Sequence, residues 1–190
     1  MELLKKRITI DGRALSESIL KVDSFLNHQI DPALIDEIAR EFCRRFEGIQ
    51  FNRILTVESS GIAPAIMTGF KMGVPVIFAK KTKPSTMNEE YFSAQVHSFT
   101  KQKDYDISVA AKFIKKGERI LVIDDFLANG SASRALIAIA EQGGAKVDGI
   151  GIVIEKGFQN GGKLLREMGY RVESLAIIDE MSADMIRFRN

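Results

Sequence analysis

Two adjacent carboxylates, Asp124 and Asp125, stand at the end of an apolar run and just before a turn of small residues. The stretch reads RILVIDDFLANGSAS from Arg119 to Ser133. Successive side chains on a strand point to opposite faces, so two neighbouring aspartates cannot both lie in a core. Ionised carboxylates only accept hydrogen bonds, which suits a pair of sugar hydroxyls. The pair therefore indicates a ribose-binding position at a strand end.

The turn after the aspartates has the composition of a phosphate cradle. Its residues are Ala128, Asn129, Gly130, Ser131 and Ala132. Asn-Gly permits positive φ, and the N-terminus of a following helix offers unpaired N–H donors to an anion. Alone, Asn-Gly is more often a plain turn and Ser131 a plain N-cap, but the whole ordered string favours a site for ribose 5-phosphate. It matches neither a Walker A loop nor a dinucleotide fingerprint.

A second turn of small residues contains Ser59, Ser60 and Gly61, within VESSGIAPA. It can cradle another anion by the same physics, although taken alone such a turn is more often an ordinary capped connection. The preceding Glu58 is an awkward neighbour for an anion, so it either orients the loop or bridges through a metal.

Lys156 and Phe158 follow a further strand, on the same rim as Asp125. A lysine there donates hydrogen bonds, and an aromatic ring can lie against a flat base. A surface lysine and a core aromatic are an equally good interpretation.

Alternating apolar strands and amphipathic helices must position these residues. Asp31 followed by Pro32 predicts the start of the first core helix, and Gly48 its end. The predicted strands are 53–57, 74–80, 119–125, 147–155 and 171–178, and the later helices are 62–72, 133–142 and 163–168. This alternation predicts an α/β fold with a parallel sheet covered by helices on both faces.

Two segments depart from this rhythm. Residues 1–30 precede the first core helix, and residues 81–105 are polar without a sustained period. A loop of that length is usually a lid, a binding loop or disorder. Residues 106–118 predict an alternating strand and a turn, which can form a hairpin with part of the preceding stretch.

Composition narrows the classes of function. The 190 residues fit one domain, 45% of them are hydrophobic, and the net charge of +2 does not suggest a nucleic-acid or membrane binder. A single cysteine, Cys43, fits a reducing compartment, and two histidines with one cysteine give no cluster of metal ligands. No apolar run reaches the roughly 18 residues that span a bilayer. We expect a soluble, cytoplasmic protein.

The stretch VIDDFLANGSAS resembles the 5-phosphoribosyl-1-pyrophosphate (PRPP) signature of type I phosphoribosyltransferases. The resemblance runs along the whole chain, including LKVDSFLNHQIDP (20–32) and VIEKGF (153–158), and is strongest to members of bacterial purine salvage that use xanthine. It implies a single domain over 1–190, with a hood from residues 1–30, a core over about 31–178 and a flexible active-site loop at about 81–105.

The resemblance also implies the role of each candidate residue. Asp124 and Asp125 would bind the ribose of PRPP, residues 128–132 its 5′-phosphate, and residues 59–61 the pyrophosphate. The residues that it assigns to the base are Leu20, Asn27, Lys156 and Phe158, with Lys156 at the 6-oxo group. Lys81 and Tyr91 would contact the leaving group. From the sequence alone, Asn27 is as readily a turn residue and Lys81 a solvated lysine.

The implied reaction joins N9 of a purine to C1′ of PRPP and expels pyrophosphate, with Mg²⁺ carried in on PRPP. The family also implies a homodimer. Two alternatives stay open: salvage of guanine, hypoxanthine or adenine, and a PRPP-sensing regulator of the same fold. A DNA-binding regulator would need an additional domain, and the near-neutral charge predicts no nucleic-acid partner.

Overall fold

A six-stranded sheet with helices on both faces lies at the centre of the protein in this computed structural model. The structure describes residues 1–81, 90–98, 103–183 and 185–189. Its α-helices are α1 (Glu2–Asp11), α2 (Pro32–Arg45), α3 (Ile62–Met72), α4 (Ser131–Gln142) and α5 (Gly161–Glu167). Its strands are β1 (Arg13–Ala14), β2 (Leu20–Lys21), β3 (Arg53–Val57), β4 (Val76–Ala79), β5 (Tyr91–Ser98), β6 (Lys103–Ala110), β7 (Arg119–Leu127), β8 (Lys146–Lys156), β9 (Val172–Ser182) and β10 (Met185–Phe188).

The central sheet has the strand order β10-β9-β8-β7-β3-β4, and β10 pairs antiparallel while the other pairs are parallel. In β7, Leu121 and Ile123 face one core while Ile120 and Val122 face the other. Strands that are apolar on both sides are typical of parallel sheets covered by helices. The α/β fold predicted from the sequence is confirmed.

Two apolar cores lie on opposite faces of this sheet. Helices α1, α2 and α3 cover one face, and α4, α5 and the β5–β6 hairpin cover the other. Helix α2 begins as predicted, because the Asp31 carboxylate accepts hydrogen bonds from the N–H groups of Ala33 and Leu34 at 3.1 and 3.2 Å. The helices and strands thus fix the carboxyl ends of β3, β7 and β8 along one edge.

Residues 1–30 contain α1, the short β1–β2 pair and a π-helical turn over Asp23–Asn27. Leu4 and Ile8 on α1 and Phe25 in the turn are fully buried in the core. These anchors hold the connection between β1 and β2 close to the end of β8.

Strands β5 and β6 form an antiparallel hairpin, with Tyr91 opposite Ala110. The predicted pairing of the 106–118 strand with the preceding stretch is therefore confirmed. Residues 91–98 and 103–105 of the stretch without a sustained period thus lie in strands, and β5 packs on α4 through residues such as Val96. Residues 82–89 and 99–102 of that segment lie outside the described part.

Within the described residues, none of the helices is both long enough and apolar enough to cross a membrane.

Candidate active site

The connection from β7 to α4 is a tight loop that opens on the N-terminus of a helix. Gly130 has a φ of 78°, as the Asn-Gly pair predicts. The Asn129 carboxamide oxygen accepts a hydrogen bond from the N–H of Ser131 at 3.0 Å, and the Arg134 guanidinium donates to the Asn129 carbonyl at 3.1 Å. The first-turn N–H groups of α4 have no intrahelical acceptor and point out of the helix end, as an anion site requires.

The hairpin contacts this loop directly. The backbone N–H of His97 on β5 donates to the Ser131 hydroxyl at 2.9 Å. The His97 ring nitrogen Nδ1 pairs with Asp104 across the hairpin at 2.5 Å. Part of the segment for which the sequence left a lid, a binding loop or disorder open thus contacts the first residue of α4.

The two aspartates differ in burial. Asp124 is 4% exposed, whereas Asp125 is only partly buried, and the Asp125 N–H donates to the Asp124 carboxylate at 3.0 Å. Burial, and then the charge of Asp125, raises the pKa of Asp124 well above its usual value, although the charge of Lys81 opposes this. Burial also raises the pKa of Asp125, against hydrogen bonds that include one from Ser60. Burial and mutual repulsion disfavour the ionised form of both carboxyl groups, and a bound cation would lower this electrostatic cost.

The turn with Ser59, Ser60 and Gly61 lies beside this pair. A Cβ on Gly61 would meet the Thr56 hydroxyl and would lie 3.0 Å from the Asp124 carboxylate, so the glycine lets the turn approach closely. Glu58 accepts a hydrogen bond from the backbone N–H of Lys81 at 2.6 Å. Glu58 thus contacts a residue that lies just beyond the end of β4.

Lys156 ends β8 and contacts the connection between β1 and β2. Its ammonium donates to the Ser18 carbonyl at 2.7 Å and lies 5.5 Å from the ring centroid of Phe126. Burial lowers the pKa of Lys156, and the charge of Asp125 opposes this. Lys156 therefore presents a donor between an aromatic ring and the hood.

An open cleft of about 540 Å³ joins Lys156 to the phosphate loop. It is lined by Ser18, Ile19, Val96, His97, Tyr105, Phe126, Leu127, Ala128, Asn129, Gly130, Ser131, Ala132, Ser133, Lys156 and Gln159. All five candidate phosphate-loop residues and Lys156 thus face the same space.

Other candidates lie outside this lining. Leu20 is buried in β2, Asn27 is exposed at the end of the π-helical turn, and Phe158 is partly exposed. Lys81 Nζ lies 5.6 Å from the ring centroid of Tyr105, and Tyr91 lines a separate cavity of about 280 Å³.

Several cleft residues were not identified from the sequence. Phe126 directly follows the two aspartates, and this adjacency could have flagged it. Ser18, Ile19 and Tyr105 carry no local signal, because only the folded chain brings them to the cleft.

Comparison with known proteins adds independent information. No model of a protein family matches this chain. Solved structures with the same fold include adenine phosphoribosyltransferases from Thermoanaerobacter pseudethanolicus (22% identity, TM-score 0.74, 92% of this chain and 98% of that one) and Rhodothermus marinus (17%, 0.76, 94% and 100%). The fold, with strand-end carboxylates before a phosphate loop, is that of the type I phosphoribosyltransferases.

Curated relatives are much more similar in sequence. Proteins named xanthine phosphoribosyltransferase from Oceanobacillus iheyensis and Moorella thermoacetica are 53% and 52% identical, and each alignment covers 100% of this chain and 97% of the relative. One from Ectopseudomonas mendocina is 51% identical over 99% of both chains. The chain belongs to the xanthine phosphoribosyltransferase family.

Proposed function

We propose that this protein transfers the 5-phosphoribosyl group from PRPP to N9 of xanthine, giving xanthosine 5′-monophosphate and pyrophosphate in purine salvage. One observation carries the proposal: a single cleft has a phosphate cradle at one end and a partly buried lysine beside an aromatic ring at the other. A phosphoribosyl donor and a flat oxo-purine match these two ends.

The phosphate loop holds the 5′-phosphate through the N–H groups at the start of α4 and the Ser131 hydroxyl. Asp124 and Asp125 accept hydrogen bonds from the ribose hydroxyls. Their negative charge also favours the positive charge that develops at C1′ in an oxocarbenium-like transition state. The remaining work is positioning, so the reaction needs no protein nucleophile.

Lys156 reads the base by donating a hydrogen bond to the 6-oxo group. Phe126 offers the closest aromatic surface to its ammonium, and Phe158 stays a second candidate. Leu20 and Asn27 are proposed for the other edge of the base. Asn27 is exposed here, so this role requires it to turn toward the cleft.

The pyrophosphate binds in the turn of Ser59, Ser60 and Gly61. Lys81 and Tyr91 contact this leaving group from the other side. The contact between Glu58 and the Lys81 N–H supports this, because it ties the two segments together.

Magnesium enters with PRPP. Mg²⁺ prefers oxygen ligands and is commonly held by one or two carboxylates together with substrate phosphates. Asp124 and Asp125 fit such an ion, because both are oxygen donors whose close negative charges lack full compensation. When bound, the ion would neutralise charge on the departing pyrophosphate.

The working form is proposed to be a cytoplasmic homodimer. Helix α3 presents Ile66 (55% exposed) and Phe70 (81% exposed) beside the edge strand β4, where Phe78 is also exposed. Apolar surface of this kind is typical of an interface.

The test is incubation with PRPP, Mg²⁺ and each of xanthine, guanine, hypoxanthine and adenine, with release of pyrophosphate and the mass of the product as readouts. Xanthosine monophosphate as the preferred product supports the proposal. If another purine is preferred, the protein is a salvage enzyme for that purine instead. PRPP binding without turnover would favour a regulator.

A further inference from the structure

Helix α5 is the shortest α-helix of the described chain, yet it contacts the phosphate loop at one end and β8, next to Lys156, at the other. It follows Lys156 after a turn in which the Gln159 N–H donates to the Lys156 carbonyl at 2.9 Å. Its first residue, Gly161, donates its N–H to the Ala128 carbonyl of the phosphate loop at 3.0 Å. Four residues therefore separate the base lysine from the support of the phosphate loop.

Gly161 leaves no room for a side chain. A Cβ at this position would meet the Ala128 carbonyl oxygen and would lie 2.5 Å from the Gly130 nitrogen and 2.7 Å from the Asn129 carbonyl carbon. All three are backbone atoms of the phosphate loop, so a side chain could be accommodated only by moving the loop. In helices alanine is otherwise favoured over glycine, so the helix itself does not require glycine here.

The other end of α5 is fixed on β8 next to Lys156. Arg166 donates two hydrogen bonds to the Glu155 carboxylate, at 2.9 and 2.7 Å, and Glu155 is 2% exposed. The Ser174 hydroxyl of β9 donates to the same carboxylate. Burial by itself raises the pKa of Glu155, but the hydrogen bonds from Arg166 and Ser174 outweigh it and lower the pKa. Glu155 and Arg166 thus form a two-point ion pair, here called the Glu155–Arg166 clamp, that ties α5 to β8.

We propose that α5 sets the spacing between the phosphate subsite and the base subsite, with Gly161, Glu155 and Arg166 as positioning residues. This inference rests on the proposed function for its substrates. Gly161 acts through the backbone of the phosphate loop, and the Glu155–Arg166 clamp acts through the helix and through the neighbouring Lys156. A displacement of about 1 Å in such a support can cost about a hundredfold in rate.

The experiment compares wild type with Gly161→Ala, Arg166→Lys and the control Lys163→Ala. Lys163 lies on the same helix with its side chain 74% exposed. The affinity for PRPP is measured by calorimetry, KM and kcat by turnover, and folding by thermal unfolding. In a folded Gly161→Ala we expect the Kd and KM for PRPP to rise about tenfold to a hundredfold, and kcat to fall as well because the phosphate subsite is displaced relative to the base subsite. Lys163→Ala should match wild type.

Arg166→Lys keeps the charge but loses the two-point geometry. We expect KM to rise for both substrates, with a melting temperature a few degrees below that of wild type because one charge-assisted hydrogen bond to the buried Glu155 is lost. This variant decides the question if Gly161→Ala does not fold. A folded Gly161→Ala with PRPP affinity within twofold of wild type would overturn the inference, as would an Arg166→Lys with both KM values unchanged. If wild type itself neither binds PRPP nor uses xanthine, it is the proposed function that fails.

Discussion

Lys156 is the residue on which we propose that the choice of base depends. Its ammonium is held by the Ser18 carbonyl and lies near the Phe126 ring, so it is fixed before a base arrives. Xanthine, guanine and hypoxanthine present an acceptor at position 6, whereas adenine presents an amino donor. Two buried donors facing each other cost about 1–3 kcal/mol, or about tenfold to a hundredfold in affinity.

Lys156→Met should therefore reduce kcat/KM for xanthine by about tenfold to a hundredfold, because the methionine keeps the stem and removes the donor. The Kd for PRPP should change little. Steady-state kinetics and calorimetry measure the two effects, with Lys146→Met at the opposite end of β8 as the control. Wild-type efficiency with xanthine in Lys156→Met would show that another residue reads the base.

The buried carboxyl group of Asp124 lowers the stability of the fold when it is ionised. Folding raises its pKa, so the folded protein binds this proton more tightly than the unfolded chain does. Its contribution to the free energy of unfolding is therefore present at low pH and is lost as the pH rises through the folded pKa. Above that folded pKa the ionised carboxylate destabilises the fold that it serves.

Asp124→Asn keeps an oxygen for the Asp125 N–H and removes the buried charge. We expect a higher melting temperature at about pH 7, by about 2–4 °C per kcal/mol gained, and a gain that shrinks on acidification. Turnover should fall by more than about tenfold because charge stabilisation is lost. Thermal unfolding across pH, with parallel kinetics, measures both. A less stable variant with full activity would contradict this account.

At the scale of elements, the parts predictable from sequence are those encoded by contiguous residues. The phosphate loop is one, since Gly130 adopts positive φ directly after a buried strand. Helix α1 has only Leu4 and Ile8 as buried anchors, too few for a clear helical period, and it was not predicted. The contact of Ser18 with Lys156 joins residues 138 positions apart, so no local pattern signals it.

The β5–β6 hairpin is the element expected to respond to substrates. Its link to the phosphate loop is the hydrogen bond from the His97 N–H to Ser131. Hydrogen exchange of the β5 amides should slow when PRPP and xanthine are both bound, and Ser131→Ala should weaken that effect. Equal exchange with and without both ligands would rule out closure of this segment.

At the scale of the whole molecule, we expect the exposed face of α3 to pack against a second copy of the chain in a dimer. Phe70→Glu should convert a dimer into a monomer in sedimentation experiments, because a charge cannot be buried unpaired. Met168→Glu, at an exposed position at the end of α5 on the opposite face of the sheet, is the control. A wild-type protein that sediments as a monomer at micromolar concentration would contradict the homodimer.

The charge of the whole chain separates the enzyme from a regulator. With 27 basic and 25 acidic residues, the chain should not bind RNA or DNA tightly at physiological salt. A tight, salt-sensitive complex in a filter-binding titration would favour the regulator instead.

The most direct test of the central claim is the ratio of kcat/KM for xanthine to that for adenine, with PRPP and Mg²⁺ saturating. A phosphate cradle and a lysine that donates to the 6-oxo group in one cleft predict a ratio of about ten to a hundred in favour of xanthine, since adenine leaves buried donors unpaired. Equal efficiency with adenine, or no release of pyrophosphate with any of the four purines, would contradict it.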